Sequence, residues 1–338
     1  MKTTLIAWAA LLFSCGVLTE SSHPELMIPL KADIVTDQLH DTLFFSPTCM
    51  FAIPGGVCAG SRDEGRIVCT DMNLQAGLVF GEKGLGPGEF QSLHKGVWHN
   101  DEFHLFDFSK KSIQAFDKSG SFLHEIRVPA EYDRSSRFAM DQQGNCFFST
   151  GYQPSVGLLF NLNTKEIDSY FGTGIKPEKE RIPADLHLTL DGYLIAILVT
   201  VTMPRILVYN QAKQLILDLD LSDYEVIKQK REMQKADDDP NLLFTRAIAE
   251  STFDKATQRL YVWALHHYGK DTKGEILGSA DIMYEFQFAQ GTLELRKTYH
   301  LLGLEGGPLP VFIGFAVEQR KVFAIDGEGL FYKYTLSD

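Results

Sequence analysis

Apolar and polar residues alternate at period two through most of the chain. Glu102-Phe103-His104-Leu105-Phe106-Asp107 and Ser112-Ile113-Gln114-Ala115-Phe116-Asp117 are clear cases. This period places successive side chains on opposite faces of a strand. The runs are short and bounded by turn-forming clusters: Asn100-Asp101, Ser109-Lys110-Lys111, Lys118-Ser119-Gly120. With Gly96 to His99 before them and Ser121 to Ile126 after them, they predict four antiparallel strands joined by tight turns.

The unit repeats. Phe138 to Phe148, Gly157 to Asn161 and Glu166 to Phe171 form a second set, and Leu186 to Leu219 a third. Arg246 to Phe253, Arg259 to Leu265, Ile282 to Phe288 and Leu293 to His300 form another. Aromatics on the third strands, Phe116, Phe160, Tyr209, Phe286 and Phe331, mark a period of about 40–50 residues, lengthened once by insertions. Four strands per period of this length predict a β-propeller. Leu43 to Phe80 makes a first blade. Val311 to Thr335 supplies only three strands, and Met27 to Val35 is placed to supply the fourth. The fold class expected is therefore all-β: a six-bladed β-propeller whose last blade is closed by an N-terminal strand, which leaves no open ring.

One connector stands out. Phe80-Gly81-Glu82-Lys83-Gly84-Leu85-Gly86-Pro87-Gly88-Glu89-Phe90 is too rich in Gly and Pro for a helix or a continuous strand, and reads as the joint between two blades. Phe171-Gly172 echoes its start. A phosphate-loop reading of its glycines fails, because no Lys-Ser/Thr and no helix follow. Tyr224 to Lys235 is charged, free of Gly and Pro, and stopped by Asp237-Asp238-Asp239-Pro240, so a helical segment is expected near 224–240. It also joins two blades and should emerge on the same face as the Gly-Pro connector. Tyr268 to Asp281 reads as a loop within a blade. Such insertions carry function or are solvated decoration.

The first residues differ from all of this. Lys2 followed by Leu5 to Phe13 has the form of a short signal peptide, too short to span a bilayer. Leu12-Phe13-Ser14-Cys15-Gly16 resembles the lipobox of bacterial lipoproteins, which implies cleavage before Cys15 and lipidation of Cys15. The organisation is then a leader over 1–14, a tether over 15–25 and the propeller over 26–338. The Gly81 to Phe90 joint, the Phe116-Asp117-Lys118-Ser119-Gly120 turn and the lipobox together resemble the TolB-like or NHL-like six-bladed propeller lipoproteins of the Bacteroidetes type. The resemblance implies an exported, membrane-anchored protein of the cell envelope, and little about activity; no acidic cluster follows Cys15, so a position facing the periplasm is expected.

Charge and chemistry narrow the picture modestly. With 32 basic and 44 acidic residues the net charge is −12, which argues against nucleic acid as a partner. Some relatives of the resembled group hold zinc with histidines from several blades. His94, His187 and His266 come from three blades here, at non-equivalent places in their repeats, so no metal ligands are assigned. Asp107, Asp117, Asp141, Asp191 and Asp326 stand where aspartate shapes turns. No Gly-x-Ser-x-Gly is present, and no catalytic residue and no cofactor are assigned. Cys58 and Cys69 either bridge neighbouring strands or remain free core thiols. The leading expectation is a monomeric, non-enzymatic binding or scaffolding module for a protein, peptide or glycan. The competing one is a metal-dependent hydrolase or lyase using calcium or zinc in the channel.

Overall fold

The computed structural model describes residues 27–36, 38–39, 42–43, 47–75, 77–132, 137–151, 153–177, 181–236, 246–264, 269–270, 276–277, 282–304, 312–326 and 329–337. The expected leader and tether, with Cys15, lie outside these residues, as do Asp237-Asp238-Asp239 and His266.

Six small sheets form a six-bladed β-propeller. Blade two shows the local logic. Leu93–His99, Glu102–Asp107, Ser112–Asp117 and Phe122–Arg127 pair antiparallel in sequence order. Asn100 and Asp101 turn the first hairpin with φ of 49° and 62°, a left-handed pair whose twist matches that of the flanking strands. Asp117 Oδ1 accepts from the amides of Ser119 (2.8 Å) and Ser121 (2.9 Å), and Gly120 takes φ of 80°. Asp141 and Asp326 build the same turn, accepting from Asn145 N and Leu330 N at 2.9 Å each. The turn aspartates are thus largely consumed by backbone.

The apolar run from Tyr193 is the second strand of blade four: Leu194–Leu198 is wholly buried. Strands covered on both faces read as continuous apolar runs. The outer fourth strand of that blade, Leu215–Asp220, alternates instead. Six apolar clusters form among the described residues, one in each interface between neighbouring blades. The cluster of Met50, Val57 and Val68 with Ala316, Phe323 and Ile325 joins blade one to blade six and closes the ring.

The N-terminal closure is more elaborate than one strand. Ile34–Thr36 pairs antiparallel with Phe331–Thr335 and completes blade six. Met27–Lys31 instead pairs in parallel with Thr298–Leu302, the outer strand of blade five. A bend at Ala32-Asp33 divides the two, with Ala32 N bonded to Leu302 O and Asp33 N to Lys333 O. One segment therefore ties the last two blades together.

The Gly-Pro connector leaves the fourth strand of blade one at Val79–Phe80 and enters blade two at Leu93. Phe80 and Phe90 are both buried, with ring centroids 5.2 Å and 5.6 Å from Phe116. Gly88 N donates to Gln114 Oε1 at 2.9 Å, and Lys110 Nζ to the carbonyls of Gly86 and Glu89. Phe171 repeats the role of Phe80, 5.3 Å from Tyr209, the third-strand aromatic of the next blade. The helix Glu225–Ala236 likewise joins blades four and five, with Val226 and Ile227 buried against both. Cys58 and Cys69 lie directly opposite in the central strands of blade one and form a disulfide; Cys49 and Cys146 are free and buried.

Candidate functional site

The innermost strands line the channel, and in four of them the ladder slips by one residue. The shifts fall at Pro47/Cys49, Leu93/Lys95, Ile248/Glu250 and Phe312/Gly314. A bulge of this kind re-aims the residue beside it. In blades two and five the residue so placed is charged: Lys95 and Glu250.

These charges meet on the channel axis. Arg137, at the start of blade three, places Nη2 2.5 Å from Glu250 Oε1, 3.2 Å from Met50 O and 3.1 Å from Phe315 O. Lys95 Nζ reaches the same Glu250 oxygen at 3.3 Å. Arg137 N donates to Asp185 Oδ1 at 3.2 Å, and Arg246 approaches that oxygen at 3.9 Å. Met50, Lys95, Arg137, Asp185, Glu250 and Phe315 come one from each blade. Burial works against the Arg137 charge, but Glu250 and Asp185 outweigh it and hold its pKa above the ordinary value. Burial would raise Asp185, yet Arg246, Lys95 and Arg137 keep its carboxyl below the usual range. The channel is plugged at this level by a paired, hydrogen-bonded cluster.

Beside the plug a cavity of about 710 Å³ opens at one end of the channel. Its rim is built from the first hairpin of every blade: Pro54, Asn100, Gln143, Asp191, Lys255 and Glu318. The Gly-Pro connector and the helix leave from fourth strands, so they emerge together at the opposite end. Neither of these two segments therefore frames this cavity, and most of the Tyr268 to Asp281 insertion lies outside the described residues.

His187 stands at the cavity floor. Its Nε2 lies 2.8 Å from Ser251 Oγ, and Ser251 Oγ donates to Asp185 Oδ2 at 3.3 Å. Serine has one hydrogen, and the ionised Asp185 takes it. Ser251 must then accept from His187 Nε2–H, which leaves Nδ1 of the neutral ring as a bare acceptor. Burial, aided by Arg137 and partly opposed by Asp185, pushes the His187 pKa down to about 3 and keeps the ring neutral. The order of contacts is His-Ser-Asp. The carboxylate binds the serine and not the histidine, so this is not a nucleophile with an oriented base.

His94 lies at the connector end of the channel, its ring 5.7 Å from Phe108, and does not line the cavity. The structure does not bring it to His187. Among the described residues no three His, Cys, Asp or Glu side chains converge to hold a metal. Of the five turn aspartates, Asp141 and Asp191 reach the cavity wall. Asp107, Asp117 and Asp326 serve turns elsewhere. Arg137, Asp185, Glu250 and Lys255 went unnoticed in the sequence. Aligning the first strands of the blades is the signal that finds the buried ones, since Lys95, Asp185 and Glu250 each stand near the start of a first strand.

No protein-family profile and no curated protein sequence matches the chain. Solved structures match in fold. A DUF4221-family member from Bacteroides vulgatus has a TM-score of 0.58 at 11% identity, over 93% of this chain and 96% of that one. A Bacteroides fragilis protein described as exported has a TM-score of 0.54 at 12% identity, over 92% and 100%. Kuenenia stuttgartiensis hydrazine synthase has a TM-score of 0.51 at 11% identity, over 85% and 78%. At these identities the likeness is one of fold. No helix among the described residues is long and apolar enough to cross a membrane.

Proposed function

We propose that the chain is an exported propeller of the TolB-like or NHL-like kind, lipid-anchored through Cys15 and facing the periplasm. It acts as a non-enzymatic binding module for a protein, peptide or glycan. The observation that carries the reading is the cavity at the hairpin end of the channel. Its volume of about 710 Å³ falls in the range of small-ligand sites, and six rigid hairpins present its rim. The lipobox residues Leu12 to Gly16 support the anchor, and the Bacteroides neighbours of like fold are compatible with export. The competing reading, a hydrolase or lyase with a channel metal, is opposed by electrostatics. Glu250 and Asp185 are the axial carboxylates, and Arg137, Lys95 and Arg246 already occupy them.

Capture from envelope extracts tests the binding role. The bait is the wild-type chain, compared with Ala256→Trp, an exposed rim position whose indole would overhang the cavity. A partner retained by the wild type and lost with the variant supports the reading; identical retention sinks it. For the anchor, Cys15→Ala should move the protein from membrane to soluble envelope fractions, and unchanged membrane association would refute lipidation.

A further inference from the structure

We infer that this cavity selects a carboxylated saccharide, with the carboxylate against Lys255 and a ring hydroxyl donating to His187 Nδ1. The inference rests on the binding role proposed above and adds the chemistry of the ligand.

Lys255 sits in the rim hairpin of blade five. The residue is exposed at the rim, yet partial burial lowers its pKa and no carboxylate counters that effect. Its charge acts on His187 of blade four and also on His99 of blade two, on the opposite side of the ring. No ion pair or hydrogen bond engages the Lys255 ammonium among the described residues; only its backbone carbonyl is used, by Gln258 Nε2. Lys213, from the adjacent blade four, has its ammonium 4.6 Å from the Phe147 ring centroid and likewise lacks an ion pair among those residues. Burial lowers its pKa, with Asp141 partly opposing. A partly desolvated cation without an ion-pair partner is costly, and an anionic ligand removes that cost.

The cavity also holds carboxylates, and they are mostly committed. Asp141 accepts from Gln143 N, Asn145 N and Asn145 Nδ2. Asp254 accepts from Ala256 N, Thr257 N and Thr257 Oγ1. Glu318 Oε1 accepts from Gly55 N at 3.4 Å. Asp191 is the exposed one. Apart from Asp191 on the rim, the lining groups with unused capacity are therefore a cation, Lys255, and a neutral acceptor, His187. The His187 Nδ1 lone pair follows from the Ser251 and Asp185 contacts and calls for an O–H or N–H donor. A carboxylate and a hydroxyl on one small ring satisfy both, and Trp98, a lining residue that also packs on Phe103, adds apolar surface for the ring's C–H face.

The test is titration calorimetry of the mature chain with digalacturonate, its methyl ester, and trialanine with a free or amidated terminus. Digalacturonate should bind, and the methyl ester should bind about tenfold more weakly, the loss of one charge-assisted hydrogen bond. Lys255→Met should weaken digalacturonate about tenfold and leave the ester unchanged. His187→Phe should weaken both. Equal binding of acid and ester, no effect of Lys255→Met, or no binding of the acid overturns the inference. Binding of free-acid trialanine alone overturns the saccharide in favour of a peptide terminus. None of these outcomes touches the envelope-capture comparison with Ala256→Trp, so failure of the ligand class and failure of the binding role are read separately.

Discussion

Arg137 does more than pair one charge. Its guanidinium binds a carboxylate from blade five and carbonyls from blades one and six, while its amide binds Asp185 of blade four. A lysine offers a point charge and could not span this set. Removing the head group leaves Glu250, 5% exposed, with Lys95 at 3.3 Å as its remaining cation. Breaking a buried pair on one side costs about 3–5 kcal/mol. Arg137→Met should therefore lower the unfolding free energy in urea by about that much, and Arg137→Met with Glu250→Gln should recover part of it. A single-variant loss under about 1 kcal/mol would mean that the cluster contributes little. This centre was hard to see in the sequence for a physical reason. Lys95, Arg137, Asp185 and Glu250 are far apart along the chain, and each looks like an ordinary polar position in a period-two pattern. Only the bulges and the ring geometry turn them inward. The Asp117 and Asp141 turns were legible because their hydrogen bonds span no more than four residues.

At the scale of elements, the Gly-Pro connector behaves as a buried joint with one exposed tip. Phe90 is fully buried against Phe116 in the core between blades one and two, whereas Leu85 is 72% exposed. Phe90→Ala should cost about 3–5 kcal/mol through transfer and cavity terms. Leu85→Ala should change stability by no more than about 0.5 kcal/mol. Chemical denaturation of both variants checks this; similar losses would show that the connector's contribution lies in its backbone and not in its aromatic anchor. Blade boundaries were readable here because a buried aromatic followed by a left-handed glycine recurs at fourth-strand ends, at Phe80-Gly81 and Phe171-Gly172. The division of the N-terminal segment between two blades was not readable. Met27–Lys31 and Ile34–Thr36 have similar strand patterns, and which edge each takes depends on sheets formed by residues almost 300 positions away.

For the whole molecule, histidines in the channel contribute to how stability responds to pH, in the same direction as His99 and His104, whose pKa values burial also lowers. His94 and His187 line the inner strands, one at each end, and both have pKa values pushed down to about 3. For His94 the causes are burial, then Lys95, Arg62 and Arg246; for His187 they are burial and Arg137, with Asp185 opposing. In the unfolded chain each would titrate near its ordinary value of about 6.5. Between about pH 6.5 and pH 3 the unfolded state therefore binds more protons than the native state, and stability rises with pH across that window. The contribution is complete above about pH 6.5 and shrinks as the solution is acidified. At pH 5 the loss relative to pH 7 should be roughly 1–2 kcal/mol per histidine, allowing for partial solvent access. Asp185 adds a second, lower step. Its folded pKa is depressed, so its contribution is present above about pH 4 and is lost as pH falls through the folded value. Thermal melts at pH 7 and pH 5 should show a lower midpoint at pH 5, and the difference should shrink in a chain carrying His94→Asn and His187→Asn. An unchanged or higher midpoint at pH 5 would mean that the two rings are charged in the native channel, which the cations around His94 make unfavourable.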